Sequence, residues 1–328
     1  PFRRIRHTGV MCALVYDRYG GVERLSLTEM PRPEPGPGDV LVEVVATSLN
    51  LSDWEGLRGS PAYARTGGLF RPGRPVLGSD IAGRVVAVGP GVERWSPGDE
   101  VFGDNLMRKG GLAEYAVVHE SALARKPAAL SFEVASTIPQ SGAIAEQAVA
   151  LAAPGTRMLL NGAGGGSGSF ALQLAAAAGI PLTAVDNAGK LDLMRSLGAE
   201  RVLDYRVDDF TRHGPYDLIV DLVARRSVFA YRRALAPGGR CLIVGGTVRT
   251  LLRMLTVGAL AGALTGRRLG VMAVRQGPEH FLPLAERVAR GEVRAVIDRV
   301  CPLAQAPQAF AALGAGQAQG KIVIRVAD

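Results

Sequence analysis

A glycine-rich loop between an apolar strand and a helix constrains the fold of this 328-residue chain more than any other feature. The predicted strand Met158 to Asn161 runs directly into the loop, and a helix is predicted as far as Ala178. Glycines here permit a tight turn and let the backbone approach a pyrophosphate, which the N–H groups at a helix start can bind. A flexible turn without a ligand is the alternative, which the flanking strand and helix disfavour. Seven residues are therefore predicted to contact a dinucleotide: Gly162, Ala163, Gly164, Gly165, Gly166, Ser167 and Gly168.

Helices and apolar strands alternate after Pro127, beginning with the alanine-rich stretch Phe132 to Ala153. Strand alternating with helix indicates right-handed βαβ units and a parallel sheet. We therefore predict an α/β protein whose residues 127–271 form a doubly wound, Rossmann-type domain. The other strands predicted for this domain are Leu182 to Asp186, Val202 to Asp204, Leu218 to Asp221 and Cys241 to Val244.

Residues 11–126 have a different pattern, with short alternating strands such as Val40 to Ala46 and Ile81 to Val88 between glycine and proline turns. This pattern predicts a small β-barrel. Residues 272–328 break the strand-helix rhythm, with a predicted helix Phe281 to Arg290 and a predicted strand Lys321 to Val326. We expect this last part to return to the barrel.

The net charge of +8 raises the question of a nucleic-acid partner. Only four of the 38 basic residues are lysines, and the arginines look scattered along the chain without a dense run. A solvated surface explains such a pattern better than a phosphate-binding face, so no nucleic-acid partner is predicted.

The cysteines and histidines offer no zinc site. Cys12, Cys241 and Cys301 are far apart and lack CxxC spacing, and none of the four histidines belongs to a Gly-His-Glu motif. The pattern argues against a disulfide framework and against a bound metal. The cysteines are predicted to be small buried side chains.

Residues 1–10 are basic and lack the apolar core of a signal peptide, so we expect an extension and a cytoplasmic protein. The apolar stretch Met254 to Leu264 is too short to cross a bilayer of about 30 Å. It is predicted to be a buried helix or a lid over a pocket, and no membrane span is predicted.

Four further motifs accompany the glycine loop, and together they resemble the medium-chain dehydrogenase/reductase superfamily, in its zinc-free quinone oxidoreductase branch. They are Asn50-Leu51-Ser52-Asp53 with Arg58-Gly59, Gly78-Ser79-Asp80-Ile81-Ala82-Gly83, Gly98-Asp99-Glu100-Val101-Phe102-Gly103, and Gly110-Gly111-Leu112-Ala113-Glu114-Tyr115. The resemblance implies a GroES-like barrel, a cleft that binds NAD(P)H, and a homodimer. Gly78-Ser79-Asp80 stands where zinc-dependent relatives carry Gly-His-Glu, so the resemblance implies chemistry without zinc.

Without zinc, hydrogen-bond donors must polarise a substrate carbonyl while hydride leaves the nicotinamide. A small hydrophobic quinone or α,β-unsaturated carbonyl compound suits this chemistry, because its developing charge is delocalised onto oxygen. The resemblance implies that Asn50, Asp53 and Tyr63 are catalytic, with Arg58 in the same segment. Each has a structural alternative: Asn50 ends a strand, Asp53 caps a turn, Arg58 pairs on the surface and Tyr63 packs.

One residue near the predicted nicotinamide site departs from the family pattern, and this departure bears on activity. Ile144 follows Pro139-Gln140-Ser141-Gly142-Ala143 where family members commonly carry a threonine near the nicotinamide. Ile144 cannot donate a hydrogen bond, although Ser141 can. The alternative function is therefore a dinucleotide-binding protein with lost or repurposed catalysis, such as a non-redox tailoring role.

The sequence contains opposing indications of whether NADPH or NADH is the cofactor. By resemblance, Lys190 and Tyr205 match the residues that hold the 2′-phosphate of NADPH. Asp186 ends the second strand of the domain, where an acid usually hydrogen-bonds the ribose of NADH. We expect NADPH, with NADH as the alternative, and also assign Val244 and Gly245 to the cofactor site.

Overall fold

The computed structural model describes residues 9–65 and 67–327, and its first domain is built on two β-sheets. A seven-stranded sheet holds most of the strands, and β1 and β2 form a separate antiparallel pair. The strands are β1 Val10–Val15, β2 Ser26–Pro31, β3 Asp39–Ser48, β4 Asp80–Val88, β5 Glu100–Asp104, β6 Tyr115–His119 and β7 Leu123–Arg125. Strand β3 pairs with β4 and β6, and its valines are buried, so this central strand carries much of the core. Helix α1, Leu51–Arg58, follows β3 directly.

The second domain is a six-stranded parallel sheet in the order β10-β9-β8-β11-β12-β13. This is a doubly wound order, and its crevice lies beyond the carboxyl ends of β8 and β11, where the strand order reverses. The strands are β8 Met158–Asn161, β9 Leu182–Asp186, β10 Arg201–Asp204, β11 Tyr216–Asp221, β12 Leu235–Ile243 and β13 Arg268–Val271. The helices are α2 Phe132–Ser136, α3 Pro139–Val149, α4 Gly166–Ala177, α5 Leu191–Ser196, α6 Val228–Ala234, α7 Val248–Arg253 and α8 Ala259–Ala263.

The end of the chain joins the first domain. Helices α9, Leu282–Ala289, and α10, Ala306–Gly314, alternate with strands β14, Ile297–Pro302, and β15, Lys321–Arg325. Strand β15 pairs antiparallel with β3, so it becomes part of the seven-stranded sheet. Just before it, the Gly320 N–H donates to the Gly164 carbonyl at 2.9 Å. The last strand therefore connects the barrel to the glycine loop.

A shared hydrophobic core also joins the two domains. Phe102 of β5 and Phe281 are both fully buried, and their rings meet edge to face with centroids 5.1 Å apart. Phe170 of α4 belongs to the same cluster of buried side chains. Such aromatic contacts add to the stability gained from burial itself. The predicted domain boundaries at residues 126 and 271 stay a prediction.

Several predicted elements agree with the structure, and four need correction. The strands Met158 to Asn161 and Leu182 to Asp186 are confirmed residue for residue. Strand β12 starts earlier than predicted, at Leu235, because the chain crosses Gly238 and Gly239 without leaving the sheet. The stretch Phe132 to Ala153 divides into α2 and α3, since Pro139 lacks the N–H needed inside a helix and starts α3 instead.

The third correction concerns the predicted extension at residues 1–10. Strand β1 already begins at Val10, and residues 1–8 lie outside the described residues. Of the cysteines, Cys241 and Cys301 are buried as predicted, whereas Cys12 is only half-buried.

The stretch Met254 to Leu264 is helical but not buried all round. It continues α7 through a π-helical turn, Met254–Gly258, into α8. Leu255, Leu260 and Leu264 expose more than half of their surface, so the prediction of a buried helix is wrong for this side. None of the described helices is long and apolar enough to cross a membrane.

Candidate active site

A buried lysine at the start of the last strand connects the barrel to the glycine loop. Lys321 Nζ donates to Asn50 Oδ1 at 2.6 Å and lies 3.3 Å from Asp80 Oδ2. Its stem runs beside Gly166, where an added methyl group would collide with Lys321 Cδ. The ammonium therefore lies in the cleft between the two domains, next to the predicted dinucleotide site.

Asp80 is the anion of this cluster. Asn50 Nδ2 donates to its Oδ2 at 2.8 Å, and the Gln140 N–H donates to its Oδ1 at 2.9 Å. Complete burial raises the pKa of Asp80, and Lys321 and these hydrogen bonds oppose that shift. A buried carboxylate with this many donors stays ionised more readily than one without them. Asp80, at the start of β4, therefore contacts residues at the starts of α1, α3 and β15.

Asp104 lies beside Asp80 in the β4–β5 ladder and has far fewer donors. Its carboxylate accepts one hydrogen bond, from the Leu106 N–H at 2.9 Å. Burial and, to a smaller extent, the nearby charge of Asp80 together raise the pKa of Asp104 to about 7. Two adjacent buried carboxylates rarely both ionise, so the proton of this pair resides on Asp104.

Asn50 has no amide hydrogen left for a substrate. Its side-chain N–H₂ donates to Asp80 and, at 3.1 Å, to Ser79 Oγ, while its oxygen accepts from Lys321. The orientation of the amide follows from chemistry, because an ammonium is only a donor and must face the oxygen. An ammonium has three hydrogens, and Asn50 and Asp80 take two. Lys321 thus has a hydrogen to offer in the cleft, whereas Asn50 has none.

Asp53 lies inside the barrel with no solvent exposure. One of its oxygens accepts from the Gly78 N–H and from Lys109 Nζ, both at 3.1 Å, and the other accepts from the Asn50 N–H at 3.0 Å. The last bond belongs to a capping box that starts α1. Asp53 therefore supports the backbone on both sides of the cluster and is a positioning residue rather than a group facing substrate.

The glycine loop fits a dinucleotide. Gly162 has a φ of +86°, a conformation that favours glycine, and turns the chain from β8 into α4. A side chain on Gly165 would meet only the Gly162 carbonyl at 3.5 Å, so this position opens onto free space. The Ser141 Oγ points to the loop from α3, beside the Lys321 stem. A pyrophosphate can therefore approach the loop backbone at the start of a twelve-residue helix.

Asp186 and Lys190, which pointed to opposite cofactors in the sequence, form an ion pair with 3.3 Å between Oδ1 and Nζ. The Asp186 Oδ2 accepts from the Gly164 N–H at 3.0 Å, and its Oδ1 accepts from the Asn187 N–H at 2.8 Å. The carboxylate thus turns into the glycine loop and shapes it. Tyr205 follows β10 and is half-exposed, with Arg206 stacked 5.9 Å from its ring centre.

Tyr63 joins the barrel to the other end of the cleft. Its hydroxyl donates to the Gly246 carbonyl at 2.9 Å, and burial raises its pKa to about 12. Gly245 lies beside it, and a side chain there would approach the Tyr63 oxygen to 3.8 Å. Val244 directly follows β12 and donates its N–H to the Asp221 carbonyl at 2.9 Å, just before this turn. Tyr63 therefore contacts the Gly245–Gly246 turn that follows Val244, and the structure gives it no hydrogen bond to the Asn50 cluster.

Arg58 lies at the end of α1 with its guanidinium 5.6 Å from the Trp54 ring centre, which agrees with a surface role. Within residues 9–65 and 67–327, no three His, Cys, Asp or Glu side chains gather as metal ligands. The absence of a metal stays a prediction.

Two family models match the chain. The alcohol dehydrogenase GroES-like domain matches residues 36–128, and the model described as zinc-binding dehydrogenase matches residues 197–324. A quinone-oxidoreductase QR1 from Triphysaria versicolor, chloroplastic, is 31% identical over 96% of this chain and 98% of its own length. The chain belongs to the medium-chain dehydrogenase/reductase superfamily. It is an oxidoreductase of the dinucleotide-binding type.

Other members of the superfamily agree with this assignment. The trans-enoyl reductase pgmF from Aspergillus terreus is 33% identical over 89% of this chain and 87% of its own length. The quinone oxidoreductase structure from Coxiella burnetii matches with a TM-score of 0.88, at 28% identity, over 97% of this chain and all of that one. The predicted combination of a GroES-like domain and a Rossmann sheet is confirmed.

Sequence reasoning missed Lys321 in this dehydrogenase/reductase. Asn50 and Lys321 are 271 positions apart, and only the pairing of β15 with β3 brings them together. One signal was available: the chain has four lysines among 38 basic residues, and Lys321 starts a predicted strand. A lysine in a chain that otherwise uses arginine marks a position where a compact ammonium is needed.

The loop geometry predicts different outcomes for two glycine substitutions. We expect Gly165→Val to leave the free energy of unfolding nearly unchanged and to weaken NADPH binding at least about 100-fold, because the added side chain occupies the pyrophosphate approach. Gly168→Val is the matched control: its Cβ would collide with the Ala163 backbone, so it should destabilise the Rossmann domain itself. Calorimetric titration and urea unfolding measure the two quantities. Equal NADPH affinity in Gly165→Val and the parent protein would contradict the assignment.

The Asp104 proton predicts a pH-dependent stability. An unfolded aspartate has a pKa of about 3.9, so between that value and about 7 the folded protein binds a proton that the unfolded chain has lost. The free energy of unfolding should therefore fall as pH rises through this window. Asp104→Asn imitates the protonated form and should reduce the fall, measured by urea unfolding between about pH 5 and pH 8.5. Asp99→Asn serves as the control, because the pKa of Asp99 lies below its usual value. An identical pH slope in Asp104→Asn and the parent would refute the assignment.

Proposed function

We propose that this chain reduces small hydrophobic quinones or α,β-unsaturated carbonyl compounds with NADPH, by hydride transfer without zinc. The observation that carries the proposal is the buried Lys321 ammonium, which lies between the Asn50–Asp80 pair and the glycine loop. It provides a cationic hydrogen-bond donor in the cleft where zinc-dependent relatives would place a metal. The printed names of the quinone oxidoreductase and trans-enoyl reductase relatives support the same substrate class.

In this proposal, one residue stabilises the developing charge and its neighbours hold that residue in position. The bound nicotinamide would supply the hydride. Lys321 Nζ donates its remaining hydrogen to the substrate oxygen, where negative charge develops as hydride reaches the conjugated carbon. Asp80 and Asn50 fix the ammonium in place, so it needs little reorganisation during the reaction. Burial of the cluster strengthens this interaction, because the low local dielectric screens the charges weakly.

The other predicted residues act around this donor. Asp53 holds the backbone of Gly78 and Asn50, and Tyr63 holds the Gly246 turn. Ser141 lies at the glycine loop, where it offers the hydroxyl that Ile144 lacks. The missing threonine favours a second candidate, a dinucleotide-binding protein without reductase activity. The two candidates differ in turnover and not in cofactor binding.

The proposed role of Lys321 predicts the effect of removing its charge. We expect Lys321→Met to lower kcat for quinones and enones about 100- to 1,000-fold, because one donor to the developing oxyanion is lost. The dissociation constant for NADPH should change less than about threefold, since the methionine keeps the stem. NADPH oxidation with a substrate panel, with and without a chelator, measures the first quantity, and fluorescence titration measures the second.

Lys126→Met is the matched control, because Lys126 is also buried but donates to the Leu130 carbonyl away from the cleft. Unchanged kcat in Lys321→Met would remove Lys321 from the mechanism. Activity abolished by the chelator and restored by zinc would overturn the zinc-free reaction. Tight NADPH binding without turnover of any panel member would favour the second candidate.

For the cofactor, we propose a preference for NADPH over NADH. The Asp186 carboxylate is turned into the glycine loop and neutralised by Lys190, so it no longer opposes a 2′-phosphate. Tyr205 and Arg206 add an exposed ring and a second cation at the same end of the sheet. The phosphate-binding role of Lys190 and Tyr205 rests on the family resemblance.

This arrangement predicts the outcome of a binding comparison. The parent protein should bind NADPH more tightly than NADH, and Lys190→Ala should lose NADPH affinity by at least about 10-fold, because a buried cation facing the phosphate is gone. NADH affinity should change less. Arg195→Ala, which removes an exposed arginine from α5, is the control. Equal or tighter NADH binding by the parent would overturn the preference.

The predicted homodimer is also a proposal. Its support is β13, the edge strand of the parallel sheet, whose outer edge has no partner among the described strands. The cytoplasmic location predicted from the sequence stays a prediction, and the Triphysaria relative is named as chloroplastic.

A further inference from the structure

The positive charge of this chain is concentrated in one segment, which corrects the sequence-based interpretation of scattered arginines. Residues 222–278 contain ten arginines and not one aspartate or glutamate. The rest of the chain contains 28 basic and 30 acidic residues, so this segment carries the whole surplus of positive charge. Such a block predicts a polyanionic partner more strongly than the net charge does.

The fold places most of this segment at one edge of the Rossmann sheet. Helices α6 and α8 and the π-helical turn pack against β13, the edge strand, and α7 leads into that turn. Met254, Gly258 and Ala261 form the inward side of the continuous α7–α8 helix, with Gly258 against Leu269 of β13. The opposite side of that helix faces away from the sheet.

The opposite side is apolar. We call it the outer face, and define it by Leu252, Leu255, Leu260 and Leu264, which are 57%, 58%, 64% and 78% exposed. Helices on protein surfaces usually alternate an apolar side with a polar one, whereas this helix is apolar on both. Leucines exposed together to this extent mark a surface that meets an apolar partner.

Arginines border the outer face. Arg249 and Arg253 lie on α7 and Arg268 starts β13, and all three are exposed. None of them forms an ion pair with an acidic side chain in residues 9–65 and 67–327. The helix therefore presents leucines together with unneutralised guanidinium groups.

We propose that the outer face docks on the surface of an anionic lipid bilayer. A helix with leucines on one side and arginines at its borders lies in the interface of a membrane, where the leucines enter the acyl boundary and the arginines meet lipid phosphates. The helix is too short to span, so it binds in the plane of the bilayer. Charge complementarity selects an anionic lipid surface over a neutral one.

Two other occupants fit less well. In a symmetric dimer through the outer face, the same surface would meet its copy, and arginines would oppose arginines with no acidic residue in the segment to separate them. A nucleic acid would use the arginines but would leave the leucines without an apolar partner.

The position of this helix connects it to the cleft. Helix α7 begins two residues after Gly246, whose carbonyl accepts from Tyr63. Under the proposed function, a lipid-dissolved quinone would leave the bilayer beside the site that reduces it. The docking itself does not depend on that function, because the test below measures binding of the protein to vesicles without substrate or cofactor.

The test is co-sedimentation of the full chain with phosphatidylglycerol vesicles and with phosphatidylcholine vesicles. We expect binding to the first and at least about 10-fold weaker binding to the second, with a further loss at high salt. The double variant Leu255→Glu/Leu260→Glu should lose vesicle binding while circular dichroism, urea unfolding and NADPH affinity stay unchanged. Val207→Glu is the matched control, since Val207 is 81% exposed on another part of the domain.

A triple variant tests the charge. Arg249→Gln/Arg253→Gln/Arg268→Gln should weaken phosphatidylglycerol binding at least about 10-fold, whereas Arg18→Gln/Arg71→Gln/Arg94→Gln, with the same loss of net charge, should not. No binding at low salt, or equal binding to both lipids, would overturn the proposal. If the parent protein does not bind vesicles but is a dimer by light scattering, and the leucine variant is a monomer, the outer face binds a second copy of the chain instead. Binding to a DNA duplex that needs the arginines but not the leucines would assign it to nucleic acid.

Discussion

One buried ammonium group connects the parts of this protein that a reaction needs. The Lys321 ammonium contacts Asn50 and Asp80 of the barrel, and its stem lies against the glycine loop, so one side chain contacts both domains at the cleft. A buried charge costs a large desolvation energy unless partners surround it. Asp80 and Asn50 are those partners for Lys321, and the Gln140 N–H of α3 in turn donates to Asp80. All four lysines of the chain are buried, which leaves the exposed cationic positions to arginine.

Most of the fold could be predicted from the sequence because its signals are local. The glycine loop, the strand before it and the helix after it are contiguous, and β8 and β9 were therefore predicted to the residue. The barrel followed from turn residues and alternating strands. Element ends were harder to predict where the chain stays in the sheet across glycines, as in β12. Of the candidate site, the sequence indicated the contiguous glycine loop. It did not indicate Lys321, because 271 positions separate Lys321 from its partner Asn50.

Neighbours in space, which the sequence does not show, limit what each predicted site residue can bind. In the sequence, Asp186 points to NADH and Lys190 to NADPH. In the structure the two side chains, four residues apart, form an ion pair, and the Asp186 carboxylate also accepts a hydrogen bond from the Gly164 N–H. Asn50 was predicted to be catalytic, and in the structure its amide hydrogens go to Ser79 and Asp80. In both cases the hydrogen bonds made within the fold determine which atoms of the side chain stay available to a ligand. A hydrogen-bond donor acts on a substrate only if the fold leaves one of its hydrogens unused, and sequence does not show that.

The helix from Val248 to Ala263 shows the same limit at the surface. Length and charge exclude a membrane span, and apolar content favours burial, so sequence alone suggests a core helix. The sheet offers that helix only one edge strand, β13, which covers a single side. The remaining leucines then stay exposed among arginines that lack acidic partners in the described part of the chain. An exposed apolar face costs free energy in water, and an excess of like charge adds repulsion to that cost. An anionic lipid surface relieves both at once, because its acyl region takes the leucines and its phosphates neutralise the arginines.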